Sequence, residues 1–224
     1  MRSIGILKCT LPSVFAMIFV FMTPSNAGAD ENRITENSIL KFTAGITTAF
    51  LIHEASHALV AQVTNTELDW EMGNYNQPLA FTEYGTSDSK GLALYSAGLV
   101  SQVIGSEIIL QKNGINKNSA FVRGMMAWNI VNPILYALDY WFIRRSNEEE
   151  GDFHQGDLEG IEYYSNDATA NGFALTLAGI AAYQGYRFLK TQSWAPDWIK
   201  MESHHLSYGP LPSKGIGVLF EIRF

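Results

Sequence analysis

Cysteine is almost missing from this chain: 224 residues contain one, Cys9, so neither an intramolecular disulfide nor a cysteine-built zinc site can form. Charge is scarce too, at 17% of residues against the roughly 25% usual for soluble globular domains. What charge there is runs acidic, with 22 Asp and Glu against 15 Lys and Arg, so the basic footprint of a nucleic-acid binder is absent and no nucleic-acid partner is expected. At 47% hydrophobic residues the chain is also too apolar to be disordered. Its acids gather in short polar stretches, which leaves the segments between them strongly apolar.

Arg2 and Lys8 precede an apolar run from Leu11 to Met22, and Ala27-Gly28-Ala29 follows with the small residues of a cleavage site. Residues 1–29 are therefore expected to be a secretory signal peptide. An uncleaved first membrane helix is the alternative, but the run is shorter than the ~20 residues a span requires. Beyond it, four windows rise in hydrophobicity: Ile39 to Val63, Gly91 to Gln111, Ala120 to Ile143 and Ala168 to Tyr186. Each has the length of a bilayer-crossing helix. The expected fold class is mainly α, a multi-span helical membrane bundle with small β-hairpin elements. Residues 30–190 would form the embedded domain, multi-pass in a membrane after export, with the lipid bilayer as a partner. A soluble helical protein with buried helices is the alternative.

Two places read as β. Glu67 to Met72 and Leu79 to Tyr84 flank the turn-like Gly73-Asn74-Tyr75-Asn76-Gln77-Pro78, as in a hairpin. In the tail, 191–224, the alternation of Val218, Phe220, Ile222 and Phe224 argues for a strand, and Gly209 to Gly215 before it for a second hairpin. The acidic stretch Ser146 to Asp167, which includes His154, reads as a solvated loop and receives no chemistry.

The informative segment is His53-Glu54-Ala55-Ser56-His57, a His-Glu-x-x-His pattern inside an apolar helical window. Four residues advance a helix by just over one turn, so the imidazoles project from one face about 6 Å apart along the axis, within reach of one zinc ion. Glu54 stands beside that position. There its carboxylate can take a proton from an attacking water and return it to a leaving amine. Histidines and a glutamate are expensive to bury in an apolar helix, and metal ligation offsets that cost; histidines satisfied by ordinary hydrogen bonds are the plainer alternative.

A catalytic zinc normally takes three protein ligands and keeps one open position. Candidates for the third are Asp139, Glu107, His154, Glu83 and the pair His204 and His205. Asp139 is preferred, because an aspartate closing the apolar run Asn129 to Leu138 otherwise lacks a reason to be there; Glu107 is its main rival. Pro133 would free a backbone carbonyl and kink the helix near Asn132.

These residues resemble the site-2 protease group of intramembrane zinc metalloproteases. His53 to Ala61 is similar to that family's first motif, although Asn65 stands where a glycine commonly ends it. Ser96-Ala97-Gly98-Leu99-Val100-Ser101-Gln102 resembles its Ala-Gly-Pro-x-x-Asn element, with Leu99 for the proline and Gln102 for the asparagine. Leu138-Asp139 resembles its Leu-Asp-Gly element, with Tyr140 and Trp141 in place of glycines. The resemblance covers about Phe50 to Tyr140.

It implies a membrane-embedded zinc endopeptidase that cleaves transmembrane or membrane-proximal segments of a protein or peptide substrate. His53, His57 and Asp139 would hold zinc and Glu54 would be the catalytic acid and base. The first hairpin could offer an edge strand to an extended substrate. Two alternatives stand beside this: a non-catalytic membrane scaffold with a structural metal or none, and a soluble secreted metalloprotease.

Overall fold

All four apolar windows wind into helices in the computed structural model, which describes residues 36–72, 79–142, 156–200, 207–210 and 216–219. Helix α1 (Glu36–Thr64) is followed by strands β1 (Glu67–Met72) and β2 (Leu79–Tyr84), then by α2 (Asp88–Gln111) and α3 (Ala120–Phe142). Next come the short α4 (Asp157–Tyr163), the long α5 (Asp167–Lys190), the single turn α6 (Asp197–Lys200) and strands β3 (Ser207–Pro210) and β4 (Ile216–Leu219). The expected signal peptide, residues 1–29, lies outside the described residues.

The multi-span membrane bundle is overturned. Among the described residues only α2 is long and apolar enough to cross a bilayer. The other long helices match their windows in position but are too interrupted. Thr47, Thr48, His53, Glu54 and His57 break up α1; Arg123, Asn129, Asn132 and Asp139 break up α3; Asn171, Gln184 and Arg187 break up α5. What the sequence describes well is a mainly helical body; the inference from helix length to membrane passage is what failed.

The helices pack around α3, which lies against α1 and α5, while α2 rests on α1 and on α4. Helices α1 and α3 meet at backbone distance. A Cβ at Gly45 would collide with the carbonyl oxygen of Phe121, and one at Gly124 with that of Phe42. Glycine at both positions lets the two backbones touch. One apolar cluster, with Phe42, Met126, Ile130 and Phe188, fills the space beside this crossing. A second, with Tyr95, Leu99, Leu158 and Ile161, packs α2 against α4. Helix α3 continues through Pro133 without a break in its assignment.

Helix α1 ends on Asn65 in the left-handed region, φ 52°. The amide of Thr66 donates to Ala61 at 2.9 Å and that of Asn65 to Gln62 at 3.4 Å, the paired bonds of a Schellman cap. Asparagine thus takes the left-handed position that glycine most often fills at a helix end. The reversal feeds directly into β1, which pairs antiparallel with β2 from Glu67↔Tyr84 to Met72↔Leu79, as the sequence leads one to expect. In the tail, β3 and β4 also pair antiparallel, Ser207↔Leu219 to Pro210↔Ile216; the expected continuation through Phe224 lies outside the described residues.

Apolar side chains also cover the exterior. Leu40, Leu51, Leu59, Val63, Ile104 and Leu175 each expose more than half of their surface.

Candidate metal centre

The four-residue spacing in α1 puts His53 and His57 on the same, inward face, exposed 3% and 1%, while Leu51, Ile52 and Leu59 point outward. Their Nε2 atoms stand 3.2 Å apart. A carboxylate meets both: the Oδ2 of Asp157 lies 3.2 Å from Nε2 of His53, and its Oδ1 lies 3.4 Å from Nε2 of His57. Asp157, 5% exposed, opens helix α4. These three side chains form a buried group able to hold a metal ion.

Asp139 is not the third member. It is half-buried near the end of α3 and stays out of the group. Residues 156–167 also depart from the reading of Ser146 to Asp167 as solvated loop, since they include α4 and the buried Asp157; residues 146–155 lie outside the described residues. The acids of the stretch outnumber its apolar residues, but Asp157, Gly160, Ile161 and Tyr164 follow helical spacing and share one face. An aspartate in phase with that face was the available signal.

The other candidates are placed elsewhere. Glu107 faces Arg187, whose Nη1 donates to it at 2.7 Å and 2.9 Å, and Gln184 and Gln111 donate to it as well. Glu83 accepts two tyrosine hydroxyls. His154, His204 and His205 lie outside the described residues.

No family model, curated protein or solved structure matches this chain. The chemistry of the site rests on its own geometry.

The donors are oriented for a cation. The Nδ1 of His57 lies 2.8 Å from the carbonyl oxygen of Leu94. A carbonyl only accepts, so Nδ1 carries the proton and the Nε2 lone pair points at Asp157 and His53. Two nitrogen lone pairs that close repel, so either a proton on His53 Nε2 or a bound cation must lie between them. Burial holds the His57 imidazole below its ordinary pKa, which keeps it in the neutral form a metal requires. Burial also opposes protonation of His53, but the Asp157 carboxylate, helped by Glu54, outweighs it and raises that group.

Helix α2 passes close beside the group. A Cβ at Gly98 would collide with Nε2 of both His53 and His57, so the space next to the donors exists because this residue lacks a side chain. One turn further, Gln102 is buried beside His53, and its Nε2 has no hydrogen-bond partner among the described residues. Its Oε1 accepts from Asn132 of α3 at 3.3 Å. Tyr140 and Trp141, the rings that follow Asp139, are engaged elsewhere: Tyr140 donates to Glu162 at 2.7 Å and Trp141 to Asn171 at 3.0 Å.

Glu54 is half-buried one residue after His53. Burial is the main cause that pushes its carboxyl up to about 7, where it can both accept and release a proton near neutral pH.

Proposed function

We propose that this chain is a zinc-dependent peptidase in which His53, His57 and Asp157 hold the ion and Glu54 moves the proton. The observation that carries the reading is the convergence of two imidazole nitrogens and one carboxylate in a buried group. Atoms bound to a tetrahedral zinc at about 2.0–2.2 Å stand about 3.3–3.6 Å from one another. The two Nε2 atoms stand 3.2 Å apart, and each has one of the two Asp157 carboxylate oxygens within 3.4 Å, Oδ2 beside His53 and Oδ1 beside His57, so the three side chains converge closely enough to share one ion. Gly98 supports the fit, because any side chain there would fill the place beside both imidazoles.

When bound, zinc would polarise the scissile carbonyl and make the attacking water more acidic. The remaining work falls to the chain. Glu54 accepts the proton released as water attacks and passes it to the leaving amine. Leu94 fixes the His57 tautomer through its carbonyl, and the surrounding apolar helices exclude bulk water. The motif resemblance and the apolar exterior together favour hydrophobic, membrane-proximal peptide segments as substrates, with the enzyme at a membrane. Strand β2 lies beside the centre, with Phe81 against the His57 ring at 5.2 Å, and offers an edge for an extended substrate.

The test is zinc content of the purified protein together with cleavage of a fluorogenic apolar peptide. Glu54→Gln is expected to keep its zinc and lose activity by about 10²–10⁴-fold, the usual worth of a general acid and base. Full activity in that variant removes Glu54 from the mechanism, and absence of zinc from the wild type removes the reading. A structural metal in a non-catalytic scaffold is the competing reading, favoured by the depth of all three ligands. It predicts bound zinc, no peptide cleavage and no effect of Glu54→Gln.

A further inference from the structure

Glu83 stays outside the donor group yet is engaged twice. Tyr95 of α2 donates its hydroxyl to Oε2 at 2.7 Å, and Tyr164, which follows α4 directly, donates to Oε1 at 2.6 Å. These are the lengths of charge-assisted O–H···O bonds. The two rings stack with centroids 5.8 Å apart. Each lies against a glycine of the opposite element: a Cβ at Gly160 in α4 would strike the ring of Tyr95, and one at Gly91 in α2 would strike the ring of Tyr164. Helices α2 and α4 therefore interlock reciprocally, and one carboxylate on β2 holds both rings.

This interlock lies next to the donors. Gly160 is one turn beyond Asp157 on the same side of α4. Tyr95 follows Leu94, the residue whose carbonyl orients His57. Phe81, two residues before Glu83 and so on the same face of β2, packs on the rings of His57 and Tyr95. From the far end of α4, Glu162 is held by the hydroxyl of Tyr140.

We propose that Glu83 is a positioning residue for the metal centre: through Tyr95 and Tyr164 it seats α4 against α2 and so fixes where the Asp157 carboxylate meets His53 and His57. The proposal rests on the metal-binding reading of that group. It assigns the hairpin a role in assembling the site, because the strand that lies beside the histidines also sets the third donor.

The experiment is a zinc titration of the full chain against a chromophoric chelator, for the wild type, Glu83→Gln, Asp157→Ala and the double variant. Glu83→Gln keeps the shape of the side chain but replaces an acceptor oxygen with an amide donor. It is expected to weaken zinc binding about 10–100-fold, as loss of an outer-shell partner does. In the Asp157→Ala background the same change is expected to have an effect of less than about twofold, because its route to the metal is gone. The absorption bands of the cobalt-substituted protein should shift in Glu83→Gln as the carboxylate moves.

Penalties that add in the double variant mean that Glu83 supports the fold in general, and they overturn the proposal. So does wild-type affinity in Glu83→Gln. Should that variant not fold, Tyr164→Phe, which removes one of the two bonds, carries the same cycle and is expected to show a smaller loss with unchanged helical circular dichroism. No zinc uptake by the wild type is a different outcome: it removes the metal reading itself, and this proposal with it.

Discussion

Burying a carboxylate costs several kcal/mol even after relaxation, and two neutral imidazoles offset little of that. Asp157 is nevertheless buried against two rings, His57 held neutral by burial and His53 drawn toward its protonated form by the carboxylate itself. A metal ion shared by the three side chains, as the proposed function requires, would offset the cost. Asp157→Ala should therefore lower zinc affinity by about 10²-fold or more, beyond the loss typical of an outer-shell partner. Asp139→Asn should leave it within about threefold, since its side chain lies outside the group. Equal losses in the two variants, read by zinc titration, would reinstate the aspartate preferred on sequence grounds. The contrast between the two residues shows what a sequence makes legible. His53 and His57 are four apart in one helix, and local periodicity brings them together. Asp157 reaches them only because α4 folds back on α2, a long-range event recorded at no single position. Asp139 fitted the argument that an acid in an apolar run needs a purpose, but burial in the folded state falls on Asp157.

At the level of elements, two small residues decide whether the site forms. Gly98 permits α2 to pass against both Nε2 atoms. Gly98→Ala must displace α2 or rotate the rings, at a cost of about 1–3 kcal/mol for overpacking a close contact. Zinc uptake should fall while helical content measured by circular dichroism changes little; retained uptake would show that the helices have slack at this point. Asn65 closes α1 in the left-handed region and turns the chain into β1. Asn65→Ala should cost about 1 kcal/mol in thermal unfolding, and Asn65→Gly much less, because alanine is strained there and glycine is not. The first hairpin was legible because a turn-like cluster stands between two apolar and aromatic runs, and β1 and β2 fall on those runs; the second was legible from turn-like residues before the period-two run at Val218. Helix α4 was legible only in the spacing of Asp157, Gly160, Ile161 and Tyr164, about two turns of periodicity inside an acidic stretch. Its identity depends on the tyrosines and glycines of a neighbouring helix.

Across the whole molecule, the four long helices were readable as helices, whereas their relation to a bilayer was not. Length and apolarity alone do not separate a span from a helix that buries one face in a protein core, and His53 and His57 of α1, Asn129 and Asn132 of α3 and Gln184 of α5 are buried in the interior here. The candidate metal group joins α1, α2 and α4, because α1 supplies two donors, α4 the third and α2 the close wall. Donors scattered in the unfolded chain cannot hold the ion as a set, so its binding energy adds to folding energy. At free zinc about 100-fold above Kd the gain is about 2.7 kcal/mol, and at about 2–4 °C per kcal/mol for a chain of this length the midpoint should rise by about 5–11 °C. Adding EDTA should reverse the rise, and Asp157→Ala should show almost none of it. Asp139→Asn should shift as the wild type does. A midpoint indifferent to zinc and to EDTA in the wild type would mean that the two imidazoles and the carboxylate close the core without an ion, and their burial would then have to be explained by a shared proton alone.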